Sequence, residues 1–222
     1  MKNANHSLLN KLVEIEVAGK GMPLRGKMID LGQDIIVLRG ASHFYYIPLV
    51  HVKLLRPASQ EESAEAVPEI PYEPQSDPIS YRKVLFSAKG MFSELYIAGT
   101  QSIHGYVTSV MNDYFTFYSP VYHTVIVSLS HLKYLSPYHP DVTPYTLPPE
   151  QFPLKPSPIS LARTFDQQIR KLVGEFVVLD LGDHPNKTGI LKQMEDGMVE
   201  LANAAGQPVY IHFDHIKTVH VP

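Results

Sequence analysis

The sequence has no cysteine and no tryptophan among its 222 residues. Without cysteine, the chain can form neither a disulfide framework nor a thiolate metal site. Charged residues make up only 18% of the chain, and no apolar run approaches the roughly 20 residues of a membrane-spanning helix. The first ten residues lack the apolar segment of a secretory signal. We therefore expect a globular protein without a membrane span, made in the cytoplasm.

One pattern occurs three times along the chain. Each copy contains a glycine that is followed 25 or 26 residues later by a histidine in a shared closing motif. The repeated pairs are Gly26 with His51, Gly105 with His131, and Gly189 with His215. A fixed period of this kind indicates three copies of one structural unit. Each copy has about 50 to 60 residues, which is near the lower limit for independent folding.

Segments rich in valine, isoleucine, tyrosine and phenylalanine predict short β-strands in every copy. The predicted strands are 13–18, 24–31, 34–40, 43–48 and 52–56 in the first copy, 105–110, 114–119 and 124–127 in the second, and 189–194, 198–202 and 209–211 in the third. A glycine at the start of the second strand permits the sharp bend that a small barrel requires. The predicted fold is therefore mainly β, with three tandem five-stranded small barrels.

Proline-rich segments separate the copies, and 13 of the 19 prolines lie in residues 57–80 and 137–160. The predicted division is barrel 1 at 1–57, an acidic linker at 58–76, a helix and barrel 2 at 77–136, a second linker at 137–156, and a helix and barrel 3 at 157–222. The linkers are either solvated spacers or extended straps docked on the barrels.

Each linker ends in a helix-start signal, a capping residue followed by proline. The signals are Asp77-Pro78-Ile79-Ser80 and Ser157-Pro158-Ile159-Ser160. They predict a short helix before the second and third barrels. A helix of one or two turns over residues 7–11 is expected before the first.

Residues 26–39 and 44–57 resemble the Sm-like fold, a small SH3-like barrel, and in particular the bacterial Sm-like RNA chaperone. Gly26 matches the glycine that opens the bent second strand of that family. The family has an aspartate six residues later and a lysine–histidine pair that helps to form a uridine-binding ring pore. Here Gly32 stands at the aspartate position, and Ile47-Pro48 falls near the basic pair.

Residues 47–52 are similar to small uncharacterised barrel domains of endospore-forming bacteria, some of them associated with the spore coat. In those domains the fourth strand runs into an Ile-Pro-Leu-x-His-Ile turn. The second copy replaces the proline of this turn with Ser128, and the third replaces it with His212. The resemblance implies a structural protein associated with sporulation and, as one possible location, the spore coat.

Aromatic residues of the second copy are the candidates for contact with protein, because their segment carries no charge. They are Tyr114, Phe115, Phe117, Tyr118 and Tyr122. The repeated histidines are predicted to hydrogen-bond the turn backbone. Asp34, Asp113 and Asp196 lie beside the second turn, and are predicted to cap backbone amides.

No nucleophile, phosphate-loop or dinucleotide motif occurs, and each copy offers one repeated histidine without a repeated carboxylate near it. We therefore expect no enzyme, no cofactor and no metal site. The leading hypothesis is a structural or adaptor protein that binds protein partners, or itself, through exposed strand edges.

The alternative hypothesis is an RNA-binding Sm-like protein, because residues 1–57 carry 8 Lys and Arg against 4 Asp and Glu. Its phosphate contacts would be Lys20, Arg25, Lys27 and Arg39. Since no other copy has a basic excess of this size, nucleic acid is the less favoured partner.

Overall fold

The structure is a computed structural model that describes residues 6–58, 78–97, 102–139, 141–142, 144–146 and 159–222. Of the two predicted linkers, 58–76 lies outside these ranges except for residue 58, whereas 137–156 is described at residues 137–139, 141–142 and 144–146. Among the described residues, no helix is both long enough and apolar enough to cross a membrane.

Strands dominate the described residues, which contain fifteen β-strands and two α-helices. The strands of the first repeat are β1 (Leu12–Val17), β2 (Leu24–Leu31), β3 (Ile35–Arg39), β4 (Phe44–Pro48) and β5 (Val52–Pro57). Those of the second are β6 (Phe92–Tyr96), β7 (Ile103–Val110), β8 (Tyr114–Ser119), β9 (His123–Ser128) and β10 (Tyr134–Pro137). Those of the third are β11 (Phe176–Leu179), β12 (Thr188–Glu195), β13 (Met198–Ala202), β14 (Pro208–His212) and β15 (Thr218–His220). The prediction of a mainly β protein is confirmed.

The two helices are short and precede the second and third repeats. Helix α1 (Tyr81–Ser87) begins after Ser80, whose Oγ accepts a hydrogen bond from Lys83 N at 3.4 Å. Helix α2 (Phe165–Arg170) begins later than the signal at 157–160 predicts, because its first amide is bound by an acceptor from another repeat, described below. Residues 7–10 form turns, so the described part of the first repeat has no helix over 7–11.

The chain forms two compact units, and the second repeat contributes to both. The first unit contains Met1–Ser102 and Lys133–Val142, and the second contains Ile103–Leu132 and Thr143–Pro222. Strands β6 and β10 therefore lie in the first unit with the first repeat. Strands β7, β8 and β9 lie in the second unit with the third repeat.

Within the first unit the strands are hydrogen-bonded in the order β6-β10-β4-β3-β2-β1-β5. Strand β2 bends where its pairing with β3 shifts register between Met28 and Asp30. Strand β4 pairs with β10 of the second repeat instead of closing on β5 of its own repeat. The described strands therefore form an open antiparallel sheet, and the closed form of the predicted barrels is not found.

Within the second unit the order is β14-β13-β12-β11-β15-β9-β8-β7, again antiparallel and open. Strand β12 shifts register against β13 between Leu191 and Gln193, as β2 does against β3. The last strand of the third repeat, β15, pairs with β9 of the second repeat. Both units thus join two repeats by the same kind of strand pairing.

Each unit has an apolar core that combines side chains from two repeats. The core of the first unit holds mainly residues of β1 to β4, together with Tyr96 and Tyr134 of the second repeat. The core of the second unit holds mainly residues of α2 and the third repeat, together with Tyr114 and Ile126 of the second.

The repeated glycine lies against the backbone of the following strand in all three repeats. A Cβ atom would lie 2.3 Å from the Arg39 carbonyl oxygen at Gly26, 2.0 Å from that of Tyr118 at Gly105, and 2.0 Å from that of Ala202 at Gly189. A side chain at these positions would force the bent strand away from its neighbour.

Candidate functional site: the strand junctions between repeats

The first junction, between β4 and β10, joins the first and second repeats inside the first unit. Leu135 lies opposite Tyr46 in the ladder. The ring of Tyr134 stacks on Tyr96 with 5.3 Å between ring centroids and meets Tyr45 edge-on at the same separation. The Tyr134 hydroxyl donates to Glu94 Oε1 at 2.8 Å. Burial raises the pKa of Tyr134 above its usual value, since the buried phenol is stable only in its neutral form.

The second junction, between β9 and β15, joins the second and third repeats inside the second unit. Its three opposed pairs are Val127 with Thr218, Ile126 with Val219, and Val125 with His220. All six residues are buried. The backbone continues this contact, because Ser128 N donates to the Lys217 carbonyl oxygen at 3.0 Å.

The aspartate beside the second turn caps the helix of the following repeat. Asp34 Oδ1 accepts from Tyr81 N at 2.9 Å, and Asp113 Oδ1 accepts from Phe165 N at 2.8 Å. Each aspartate therefore satisfies an amide at the first residue of a helix, which otherwise lacks an intrahelical acceptor. Both contacts join consecutive repeats within one unit.

The glycine that stands at the Sm-like aspartate position also lies at a contact between repeats. A Cβ atom at Gly32 would lie 2.1 Å from the Ile79 carbonyl oxygen of the segment that leads into α1. Any side chain at this position would displace that segment.

The repeated histidines contact the closing turn of the following repeat, where such a repeat exists. His51 Nδ1 lies 3.0 Å from Lys133 Nζ, and the ammonium must be the donor. His131 Nε2 donates to the Asp214 carbonyl oxygen at 2.8 Å. These two side chains thus reach a neighbouring repeat, whereas the sequence predicted bonds to a turn backbone without indicating which repeat supplies it. His215 closes the last repeat and is exposed.

The aromatic candidates lie mostly in the interior. Tyr114, Phe115 and Phe117 are fully buried, and Tyr118 and Tyr122 are half-buried. Three of the five predicted protein contacts therefore cannot meet a separate partner. The reason is that β8 is buried on both faces over residues 114–117, where the sequence predicted one inner and one outer face.

Two of these aromatic residues contact the third repeat. The Tyr114 hydroxyl donates to the Ala162 carbonyl oxygen at 2.7 Å and lies 3.1 Å from Gln168 Oε1. Burial and the nearby Asp113 carboxylate raise the pKa of Tyr114 to about 12. The Tyr122 ring lies 5.6 Å from that of His220. The aromatic residues of the second repeat thus hold repeats together.

The four basic candidates for RNA contact do not form one group. Lys27 lies opposite Arg39 across β2 and β3, and Arg25 lies two residues from Lys27 on the same face. Glu14 lies opposite Arg25 on that face, and its Oε1 accepts from Arg56 at 2.6 Å. Lys20 is held elsewhere, with Nζ 4.9 Å from the centroid of the Tyr96 ring.

The described residues contain no group of three or more histidine, aspartate or glutamate side chains arranged to hold a metal ion. The rings of His212 and His215 approach within 5.8 Å of each other, with no third ligand in that part of the structure.

A comparison with known proteins gives the family of the chain. It is 42% identical over 227 residues to a protein of Bacillus subtilis (strain 168) named "Uncharacterized protein YwrJ", and the alignment covers 100% of both chains. The chain belongs to the YwrJ family. A family model described as the YwrJ third domain also matches residues 164–219, which lie within the third repeat.

In this YwrJ family member, two outer strands pair on one side only among the described residues. Strand β5 pairs with β1, and β14 pairs with β13. Large apolar side chains are exposed there, with Leu54 40% exposed on β5 and Tyr210 59% exposed on β14. Val50, in the turn before β5, is 80% exposed.

Sequence reasoning missed these three residues. For two of them a signal was available in the alignment of the three repeats on the repeated histidine. That alignment places Leu54 at the position of the apolar Tyr134, and Tyr210 at the position of Ile126. In this YwrJ family member, the same repeat positions are thus buried at an internal junction and exposed at an end.

Proposed function

We propose that this YwrJ family member is a non-enzymatic structural or adaptor protein that binds protein by strand addition at its sheet edges. Each repeat acts as a bent, Sm-like or SH3-like barrel unit that is open on one side. An unpaired edge presents backbone N–H and C=O groups in a row, and an incoming strand satisfies them while neighbouring pockets select its side chains.

The observation that carries this proposal is the pair of outer strands with exposed apolar side chains. Edges of soluble proteins are usually protected by charge or by cover. Here Leu54 and Tyr210 are instead exposed to solvent at positions where the inner junctions bury or half-bury their equivalents. An edge of this kind is suited to receiving another strand.

Two peptides from this chain test the proposal by nuclear magnetic resonance on the isotope-labelled full-length protein. A peptide of residues 132–138 carries β10, which pairs with the fourth strand of the first repeat. It is expected to bind β14, the fourth strand of the third repeat, and to shift its amide resonances. A peptide of residues 122–129 carries β9, which pairs with the fifth strand of the third repeat, and it is expected to shift the amide resonances of β5, the fifth strand of the first repeat. Peptides with proline in place of Leu135 or Ile126 are the controls. If the protein is monomeric and neither native peptide causes a shift, the proposal is contradicted.

The location that we propose rests on the resemblance to domains of endospore-forming bacteria. The protein is made in the cytoplasm of the mother cell and becomes part of the spore coat. A fluorescent fusion followed through sporulation is expected to move to the spore surface. Diffuse fluorescence throughout would contradict this part of the proposal.

The alternative function, RNA binding, is favoured by one observation, the shared face of Arg25, Lys27 and Arg39. Glu14 lies on that face too, and reduces its positive potential. We therefore expect no salt-sensitive binding of single-stranded RNA. If binding does occur at low salt and is abolished by Arg25→Glu with Lys27→Glu, the alternative replaces the proposal.

A further inference from the structure

The two internal junctions have an identical register. At the first, Tyr46 lies opposite Leu135, and at the second, Ile126 lies opposite Val219. Tyr46 and Ile126 both stand five residues before the repeated histidine of their repeats, and Leu135 and Val219 both stand four residues after it. One rule therefore describes both junctions, in which the fourth strand of a repeat receives the fifth strand of the next.

The chain has one further fourth strand and one further fifth strand that take part in neither junction. The fourth strand of the third repeat is β14, and the fifth strand of the first repeat is β5. Among the described residues, neither has a neighbour on its outer side. Counting from the histidines, Tyr210 takes the place of Tyr46 and Ile126, and Leu55 takes the place of Leu135 and Val219.

Burial distinguishes the used edges from the unused ones. Tyr210 is 59% exposed, whereas of its two equivalents Tyr46 is half-buried and Ile126 is 3% exposed. Leu54 is 40% exposed, whereas its equivalents Tyr134 and Thr218 are 3% and 1% exposed. The outer edges therefore expose the surface that the inner junctions cover.

We infer that β14 of one molecule pairs with β5 of a second copy of this chain, in the register of the internal junctions. The pairing places Tyr210 opposite Leu55, Ile211 opposite Leu54, and Val209 opposite Arg56. This inference rests on the proposed function, strand addition at the edges, and names its partner.

The ends of the two strands are compatible with this pairing. His215 corresponds to His131, so its Nε2 reaches the Val50 carbonyl oxygen as that of His131 reaches Asp214. Pro57 at the end of β5 is no obstacle, because Pro137 occupies the same position in β10 at a formed junction.

The contact is heterologous, since it joins two different strands. A molecule that has used its β14 still offers its β5, so association continues until the rotation closes a ring or extends a filament. In either case the assembly contains more than one chain.

Cysteine cross-linking tests the register, because the chain has no native cysteine. Tyr210→Cys and Leu55→Cys variants are mixed and oxidised, and a disulfide-linked dimer is expected. The matched control is Tyr210→Cys mixed with Val121→Cys, since Val121 is 67% exposed and lies in the turn between the inner strands β8 and β9. Equal cross-linking in the two mixtures, or none in either, overturns the inferred register.

Light scattering after size exclusion tests the association itself. The full-length protein is expected to exceed the mass of one chain, 24.9 kDa, and to dissociate on dilution. A buried lysine opposes the junction, so Tyr210→Lys should weaken association about tenfold or more, while Val121→Lys should leave it unchanged. Circular dichroism verifies that both variants fold. A monomeric native protein at all concentrations overturns the inference.

The peptide titration separates this inference from the proposed function. If the protein is monomeric but the native peptides shift β5 or β14, strand addition stands and self-association is wrong. If it is monomeric and neither peptide binds, both are wrong.

Discussion

At the scale of single residues, the repeated glycine leaves no room for a side chain. Gly105→Ala would bring a Cβ to within 2.0 Å of the Tyr118 carbonyl oxygen, so the strands must separate. We expect the free energy of unfolding to fall by about 3 kcal/mol, the upper end of typical overpacking costs. Urea titration measures the change. Gly21→Ala is the matched control, because no atom lies within 4 Å of the Cβ position there and its backbone is not left-handed. Similar losses in both variants would contradict the steric explanation.

His220 couples stability to pH. Burial lowers its pKa from 6.5, and the charge of His123 lowers it further. The folded chain holds the neutral ring while the unfolded chain takes up a proton more readily. The contribution of neutral His220 to the free energy of unfolding is therefore fully present above pH 6.5, and it is lost as the pH falls through the lowered pKa.

The matching experiment compares unfolding free energies of the native protein and His220→Phe across this pH range. The native protein should lose more stability on acidification than the variant. His139→Phe serves as the control, because His139 is exposed. Parallel pH profiles for native protein and His220→Phe would show that His220 is not responsible.

At the scale of secondary-structure elements, the start of α2 depends on an acceptor from the preceding repeat. Asp113→Ala removes the bond to Phe165 N, and loss of a capping acceptor costs about 1 kcal/mol. Hydrogen exchange at the amides of residues 165–167 should accelerate, with α1 unchanged. Asp34→Ala should produce the reciprocal result, with faster exchange in α1 only. Unaltered exchange in both would contradict the capping role.

The sequence was informative about strands and less so about helix starts. Every predicted strand of the first repeat matches an observed one within a residue, because short β-rich runs between glycine turns leave little choice of position. The proline motif at 157–160 misplaced α2, since the amide that needed capping was Phe165 N and its acceptor was 52 residues away. A local pattern cannot encode a contact of that range.

At the scale of the whole molecule, the second repeat is shared between two units. Its Tyr96 and Tyr134 complete the core with the first repeat, and its Tyr114 and Ile126 complete the core with the third. An isolated fragment of residues 77–142 would expose these side chains. We expect it to unfold at lower urea concentration than the full chain, or to aggregate. Tryptophan is absent, so circular dichroism is the appropriate probe. A fragment as stable as the full chain would contradict the shared cores.

The repeats could be predicted from the sequence, but the way they join could not. Alternation of apolar and polar residues in the sequence shows which face of a strand is buried. The partner of an edge strand is instead bound by backbone N–H and C=O groups, which every strand carries and which leave no pattern in the sequence. The aromatic segment at 114–118 therefore suggested an outer surface, although its rings form the interior. The residues exposed at the edges, Leu54 and Tyr210, were not predicted, because their strands have the same kind of sequence as the inner strands.

The common register at the two internal junctions has a consequence for the history of the chain. Tandem duplication or loss of a whole repeat would preserve both terminal strands. It would add or remove one strand junction with the register described above. The architecture can thus lengthen or shorten by a complete repeat without evolving a new contact, and relatives with other repeat numbers would have the same two ends.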